Sequence, residues 1–292
     1  MISEAAITTM CSILATTVLG VLIGLLVMVK KFKEKGVATA FFLGALGFFI
    51  SQIVLRMPIL NVISGRPAFD GFVSSHYILY SFLLALSTGF FEMVGRWFVL
   101  RYMMKGRITY HKAFSAGYGH GGVEAMFILG YSLINNIVAA VLINNGLIED
   151  AMKDTGAAQS DIDTLIDTVV NTKMSSYYCD LAERVLFLCI QVMLTVLLGY
   201  LIMKGREVFG MLVTMFIHTM VNFVPGVVEG MMDGSVGSGI SQTTGYIILF
   251  AYLIVVTYAM FRFVEKLKPQ MDGVAVQNGF IKAEEKEQFP KF

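Results

Sequence analysis

Apolar residues run in seven long stretches, roughly over residues 5–29, 37–60, 73–101, 113–143, 177–203, 207–228 and 240–264. Each exceeds the approximately 20 residues that a helix needs to cross the hydrocarbon core of a bilayer. A transmembrane barrel would instead read as short segments of alternating polarity. The pattern predicts an all-α fold, a polytopic transmembrane helical bundle of about seven spans, with an eighth, re-entrant segment left open. Three pairs of polar residues interrupt the runs: Glu92 with Arg96, His120 with Glu124, and His218 with Asn222. Each pair is spaced i, i+4, which puts both side chains on one helix face, one turn apart.

Composition supports the membrane reading. Hydrophobic residues are 56% of the 292 and charged residues 15%, against about a quarter charged in an average soluble domain. Mean hydropathy is +0.71. The net charge of +1 gives no sign of a nucleic-acid partner; the base is clustered at helix ends, where it reports orientation. Lys30, Lys31, Lys33 and Lys35 follow the first run, Arg101, Lys105, Arg107 and Lys112 the third, Lys204 and Arg206 the fifth, and Arg262, Lys266 and Lys268 the seventh. The intervening connections are poor in base or acidic. The positive-inside bias therefore predicts an outer N-terminus and a cytoplasmic C-terminus. Met1-Ile2-Ser3-Glu4 lacks the basic start of a secretory signal, so the first run is expected to stay as a span. Residues 1–264 read as one transmembrane domain and 265–292 as a polar cytoplasmic tail, with Glu284, Glu285, Lys286 and Glu287 near its end.

One outer connection, about residues 144–176, is long and acidic, with Glu149, Asp150, Asp154, Asp161, Asp163 and Asp167. Ile162, Leu165, Ile166, Val169 and Val170 recur there at helical spacing behind a Ser160/Asp163 capping signal, which predicts an amphipathic surface helix. A connector with a covered apolar face is favoured over a lid. Cys11, Cys179 and Cys189 show no metal-like spacing. They read as small buried apolar residues, with a Cys11–Cys179 disulfide the alternative.

The polar pairs fall in one layer. Glu92 lies nine residues before Arg101, His120 eight after Lys112 and His218 twelve after Arg206. At about 1.5 Å per residue these are depths of about 14, 12 and 18 Å from the cytoplasmic side. Ionisable groups at such depth are expensive and mark functional sites more often than other positions do. A carboxylate beside an imidazole can activate water, Arg96 can hold a carboxylate ionised, and His218 with Asn222 can donate to a developing oxyanion. That set suits hydrolysis of an amide without a covalent intermediate. Gly117, Gly119, Gly121 and Gly122 around His120 leave room either for a neighbouring helix or for a substrate backbone.

The runs FEMVGR (91–96), GYGHGGVEA (117–125) and FIHTMVNF (216–223) resemble the YhfC family of intramembrane peptidases, itself similar to the larger CPBP group of CAAX prenyl proteases and bacteriocin-processing enzymes. The larger group carries Glu-Glu-x-x-x-Arg, Phe-x-x-x-His and His-x-x-x-Asn/Asp motifs on successive spans. By that resemblance Glu92 and Arg96 match the first motif, His120 the second, and His218 with Asn222 the third. The implied roles are water activation for the glutamate and His120, and oxyanion stabilisation for His218 and Asn222. Glu183–Arg184 also looks like a feature of the YhfC branch and is held secondary. Two positions depart from the larger group: Phe91 stands where the first Glu would be, and Ala116 where Phe is preferred. With that Glu missing, the base is expected to be Glu124 or Glu92.

No cofactor is required by this reading. Zn²⁺ on His120, Glu124 and His218 is the alternative, and Arg96 nearby favours the metal-free route. The expected function is an intramembrane endopeptidase of a bacterial plasma membrane. Its partners would be the lipid bilayer and a peptide or membrane-protein substrate, with the oligomeric state open. A catalytically inactive scaffold, immunity or sensor protein is the alternative that Phe91 motivates. A proton-coupled transporter is less favoured, since the chain shows no inverted repeat.

Overall fold

The computed structural model describes residues 1–153 and 158–279, and the regular structure among them is entirely helical. Asp154 and the charged run Glu284–Glu287 lie outside the described residues. In chain order the helices are α1 (Glu4–Phe32), α2 (Val37–Ser64), α3 (Phe69–Ser75), α4 (Tyr77–Met103), α5 (Tyr110–Asn144), α6 (Ile148–Lys153), α7 (Gln159–Asn171), α8 (Met174–Met203), α9 (Glu207–Met232), α10 (Gln242–Glu265) and α11 (Lys268–Gln277). Among the described residues seven segments are long and apolar enough to span a membrane: α1, α2, α4, α5, α8, α9, and α10 together with α11. Large apolar side chains such as Leu26, Phe42, Phe90, Phe216 and Val255 stand exposed on these spans, as lipid-facing positions do in a multi-pass membrane protein.

Some boundaries differ from the sequence pattern. The third run begins within α3, and the helix breaks at His76, whose φ of −138° leaves the helical region. Two segments are π-helical, Phe49–Arg56 inside α2 and Val99–Met103 at the end of α4. The polar stretch after Leu267 opens with α11, whose Met271 and Ala275, one turn apart, are buried in the core. Two such residues seat one face of a helix even where the average polarity is high. The three cysteines are free, and Cys11 and Cys189 are exposed, which corrects the expectation of buried positions. A small apolar side chain is as well placed against lipid as in a core.

The chain divides into two compact units, one of Met1–Gly24 with Glu124–Val185, the other of Leu25–Val123 with the chain from Leu186 onward. In the first, Met10, Ile13, Leu129, Leu133, Ala140, Val169 and Tyr177 form the core. The Asn144 amide bonds both main-chain groups of Ile2, at 2.7 and 2.8 Å, and so fixes the N-terminus. The amphipathic helix expected in the acidic connection is α7, with Ile162 and Val169 buried. Its start corrects the capping signal. Because α7 begins at Gln159, Ser160 and Asp163 are already inside the helix, and Asp163 accepts from the Gln159 amide at 3.0 Å.

In the second unit Leu100, Ile108, Ala113, Leu194, Leu198, Leu253 and Met271 pack together. The glycines let the helix backbones meet. A Cβ on Gly44 of α2 would stand 1.9 Å from the Ala116 carbonyl oxygen of α5, and one on Gly119 of α5 would stand 2.0 Å from that of Phe41. Gly117 meets the main chain of Val192 on α8 in the same way, and Gly121 lies against the side chains of Gln191 and Leu188. Close helix packing thus uses three of the four glycines around His120.

The α1–α2 connection is pinned at Glu34, which accepts from Thr109 Oγ1 at 2.7 Å and lies 3.2 Å from His111 Nδ1 and 3.3 Å from Lys112 Nζ. Burial by itself would raise this carboxyl. The hydrogen bonds from His111 and Thr109 and the Lys112 charge outweigh burial and hold it below the ordinary carboxylate value. This clip sets where α5 begins, and with it the height of His120.

Candidate functional site

Four helices deliver polar side chains to one point. Glu92 on α4 is bonded by Arg96 Nη2 at 2.8 Å, one turn along its own helix. His120 Nε2 of α5 lies 3.1 Å from the same carboxylate, and the Gln191 amide of α8 donates to it at 3.0 Å. His218 Nε2 of α9 stands 3.4 Å away. All four reach a single oxygen, Oε2. Arg96 Nη2 also donates to the Gln191 carbonyl oxygen. None of Glu92, Arg96, His120, Glu124, Gln191 or His218 is more than 4% exposed.

Local sequence explains the convergence. Gly89 and Gly95 flank Glu92 on its helix. A Cβ on Gly89 would lie 2.9 Å from the Met215 carbonyl oxygen of α9, and one on Gly95 2.8 Å from that of Gly47 of α2. α4 therefore sits close enough to both helices for short polar side chains to meet. The Phe48 ring stands edge-on to His120 at 5.3 Å and closes that side with apolar surface.

The site is incompletely satisfied. Six buried side-chain nitrogen or oxygen atoms among the described residues lack a hydrogen-bond partner. Five belong to this cluster: Nε and Nη1 of Arg96, Nδ1 of His120, and Nδ1 and Nε2 of His218. Leaving a buried polar group unpaired costs about 1–3 kcal/mol. Native proteins carry few such atoms, and here five lie together.

The residues expected from the sequence fall as follows. Glu92, Arg96, His120 and His218 are in mutual reach. Glu124 is buried one turn beyond His120 on α5. Asn222, half-buried, donates to the main-chain carbonyl of His218 at 3.0 Å rather than to the cluster. Glu183 and Arg184 form an ion pair with each other on α8, eight and seven residues before Gln191. Gln191 itself was not among the expected residues. Its signal is a lone amide in the apolar run FLCIQVML, and a reading built on i, i+4 pairs of ionisable residues passes over it.

A divalent cation fits the donor set. Glu92, His120 and Glu124 each offer a ligand atom, all within 4.8 Å of one another. His218 adds an imidazole whose Nδ1 has no hydrogen-bond partner and whose Nε2 stands 3.4 Å from Glu92 Oε2 without a hydrogen bond to it. Carboxylate and neutral imidazole are the ligands of open catalytic zinc sites. The Arg96 charge, which would repel a cation, is turned onto Glu92 and Gln191 through Nη2.

Comparison with known proteins gives a consistent picture. A sequence model described as YhfC intramembrane metalloprotease matches residues 17–236, a span that contains Glu92, His120, Glu124, Gln191 and His218. The chain is 29% identical over 205 residues to the uncharacterized membrane protein YhfC of Bacillus subtilis (strain 168), covering 70% of this chain and 78% of that one. No solved structure matches.

Proposed function

The chain belongs to the YhfC intramembrane metalloprotease family, and we propose that it hydrolyses a peptide bond of a membrane-embedded peptide or protein at the Glu92–His120–His218 cluster. The observation that carries this reading is the convergence of four helices on Glu92 Oε2, with five unpartnered donor or acceptor atoms around it.

The chemistry follows from the atoms. A substrate carbonyl brought against the cluster meets two kinds of free donor, Arg96 Nε and Nη1 and the His218 imidazole. These would stabilise the oxyanion that forms as water adds. His218 takes this role ahead of Asn222, whose amide is engaged with the main chain. Glu124, one turn from His120, is the carboxylate best placed to accept the proton of the attacking water and pass it to His120, which hands it to the leaving amine. Glu92 orders the set: the bonds from Arg96, Gln191 and His120 hold it in place, so it orients rather than attacks. A cation of the zinc type would be held by Glu92, His120 and Glu124 and would supply Lewis acidity at the scissile carbonyl; bound there, it would stand in place of the proton transfers of Glu124 and His120. The apolar wall at Phe48 keeps bulk water out and strengthens each of these interactions.

Purified protein in proteoliposomes, given a quenched-fluorescence transmembrane peptide, tests the assignment. Glu124→Gln and His120→Ala are each expected to lower the rate by roughly a hundredfold or more. Metal analysis of protein purified without chelator should find close to one zinc-type ion per chain, lost in His120→Ala. Full activity in both variants would overturn the roles of Glu124 and His120, and full activity in metal-free protein would overturn the cation.

A further inference from the structure

Arg56 is a cation inside the span α2, and no carboxylate among the described residues lies within ion-pair distance of it. Its guanidinium is held by neutral oxygens alone: Ser87 Oγ at 3.0 Å, Gln52 Oε1 at 3.1 Å and the Leu84 carbonyl at 3.3 Å. A guanidinium carries five N–H donors, so two remain beyond these three bonds. The side chain is half-buried, while Gln52 below it is buried and reaches the Thr88 carbonyl. A charge in this setting without a counter-charge at ion-pair distance is costly. The π-helical turn Phe49–Arg56 keeps it there, against α4.

Three further facts connect Arg56 to the site. Its anchors on α4, Leu84 and Ser87, precede Glu92 by eight and five residues, which is about 12 and 8 Å along the helix. Leu84, Ser87, Thr88 and Phe91, at i, i+3, i+4 and i+7, form a half-exposed stripe on α4 that runs from Arg56 to the turn carrying Glu92. Arg56 is also close enough to Glu92 and His218 for their charges to interact. The guanidinium turns back to Gln52, one turn before it, and so away from the nearer end of α2 at Ser64. A side chain reaching for a lipid headgroup would turn the other way.

We infer that Arg56 is a specificity-determining residue that binds an acidic side chain of the substrate lying along the α4 stripe. This rests on the proteolytic reading above. An extended peptide advances about 3.3 Å per residue, so 8–12 Å places the acidic residue about three positions from the scissile bond. The two free N–H groups donate to the carboxylate, and the substrate supplies a counter-charge at ion-pair distance.

The test uses the full chain in phosphatidylcholine vesicles and a set of transmembrane peptides with Glu or Gln at each of the positions two to four residues from the cut. The wild type should cleave the matching Glu peptide roughly ten- to a hundredfold faster, by kcat/KM, than its Gln counterpart. Arg56→Gln should erase that difference and leave the Gln peptides unchanged. Arg56→Glu should prefer Lys at the same position, a reversal that loss of folding cannot produce. Equal cleavage of Glu and Gln peptides by the wild type would overturn the inference while leaving the protease reading intact. Binding measured by peptide anisotropy separates the other case: Arg56-dependent binding of Glu peptides without any cleavage would support the inference and overturn proteolysis at this site. Failure to bind or cleave any of the peptides would overturn both. An effect of Arg56→Gln that follows added phosphatidylglycerol rather than peptide charge would assign Arg56 to lipid and overturn the inference.

Discussion

Glu92 Oε2 is shared by Arg96, His120, Gln191 and His218, so a change at any of these residues is felt by the rest. Gln191 is the sharpest probe because it serves both charges, donating to Glu92 and accepting from Arg96. Gln191→Leu keeps the volume and removes both bonds, leaving Arg96 with one partner. The expected result is a loss of about 1–3 kcal/mol of stability, read by thermal unfolding in detergent, together with loss of hydrolysis. Unchanged melting would mean that the amide does not hold the pair. At this scale much of the site was legible in advance. Glu92, Arg96, His120, Glu124 and His218 stand out because ionisable residues are rare in apolar runs. Gln191 and Arg56 were not, for two reasons. A single amide is a weak signal, and an arginine nearer one end of its span reads equally well as a side chain reaching for the interface.

Helix-scale order depends on backbone contact at a few glycines. Gly44→Ala and Gly119→Ala each put a methyl group within about 2 Å of a carbonyl oxygen on the facing helix. Side-chain rotation cannot relieve contact with a main chain. Each substitution should therefore cost about 1–3 kcal/mol and shift His120 away from Glu92, lowering activity as well as stability. Gly20→Ala is the control, since nothing lies within 4 Å of its Cβ position. It should be neutral or gain up to about 1 kcal/mol, as alanine generally does over glycine inside a helix. Equal melting of all three variants would rule out the close approach. The seven spans were legible because about 20 apolar residues leave a chain in lipid few choices other than a helix. The π-helical turn in α2, the break at His76 and the packed α11 were not. Each depends on what a neighbouring helix offers, and hydropathy does not record that.

For the whole molecule, the distribution of base predicts orientation. In a cysteine-free background, a cysteine at Lys105 should be shielded from a membrane-impermeant maleimide in intact cells, and one at Asp163 should be labelled. The reverse pattern would turn the protein over and move the proposed cleavage to the other half of the bilayer. The sequence by itself determined that the chain is a helical membrane protein, and it gave the Glu92, His120 and His218 pairs a common depth. Both properties follow from one-dimensional quantities, the length of apolar runs and the residue count from each helix end. Only the tertiary structure decided which groups touch. It brought Glu92, Arg96, His120, Gln191 and His218 to one oxygen, turned Asn222 onto the main chain, and held Arg56 on the neutral oxygens of Gln52, Leu84 and Ser87. Those outcomes depend on the rotation and spacing of neighbouring helices, set by glycine contacts such as Gly44 on Ala116 and Gly89 on Met215. Hydropathy fixes a residue's depth in the bilayer, but its partner is chosen by packing between segments far apart in the chain.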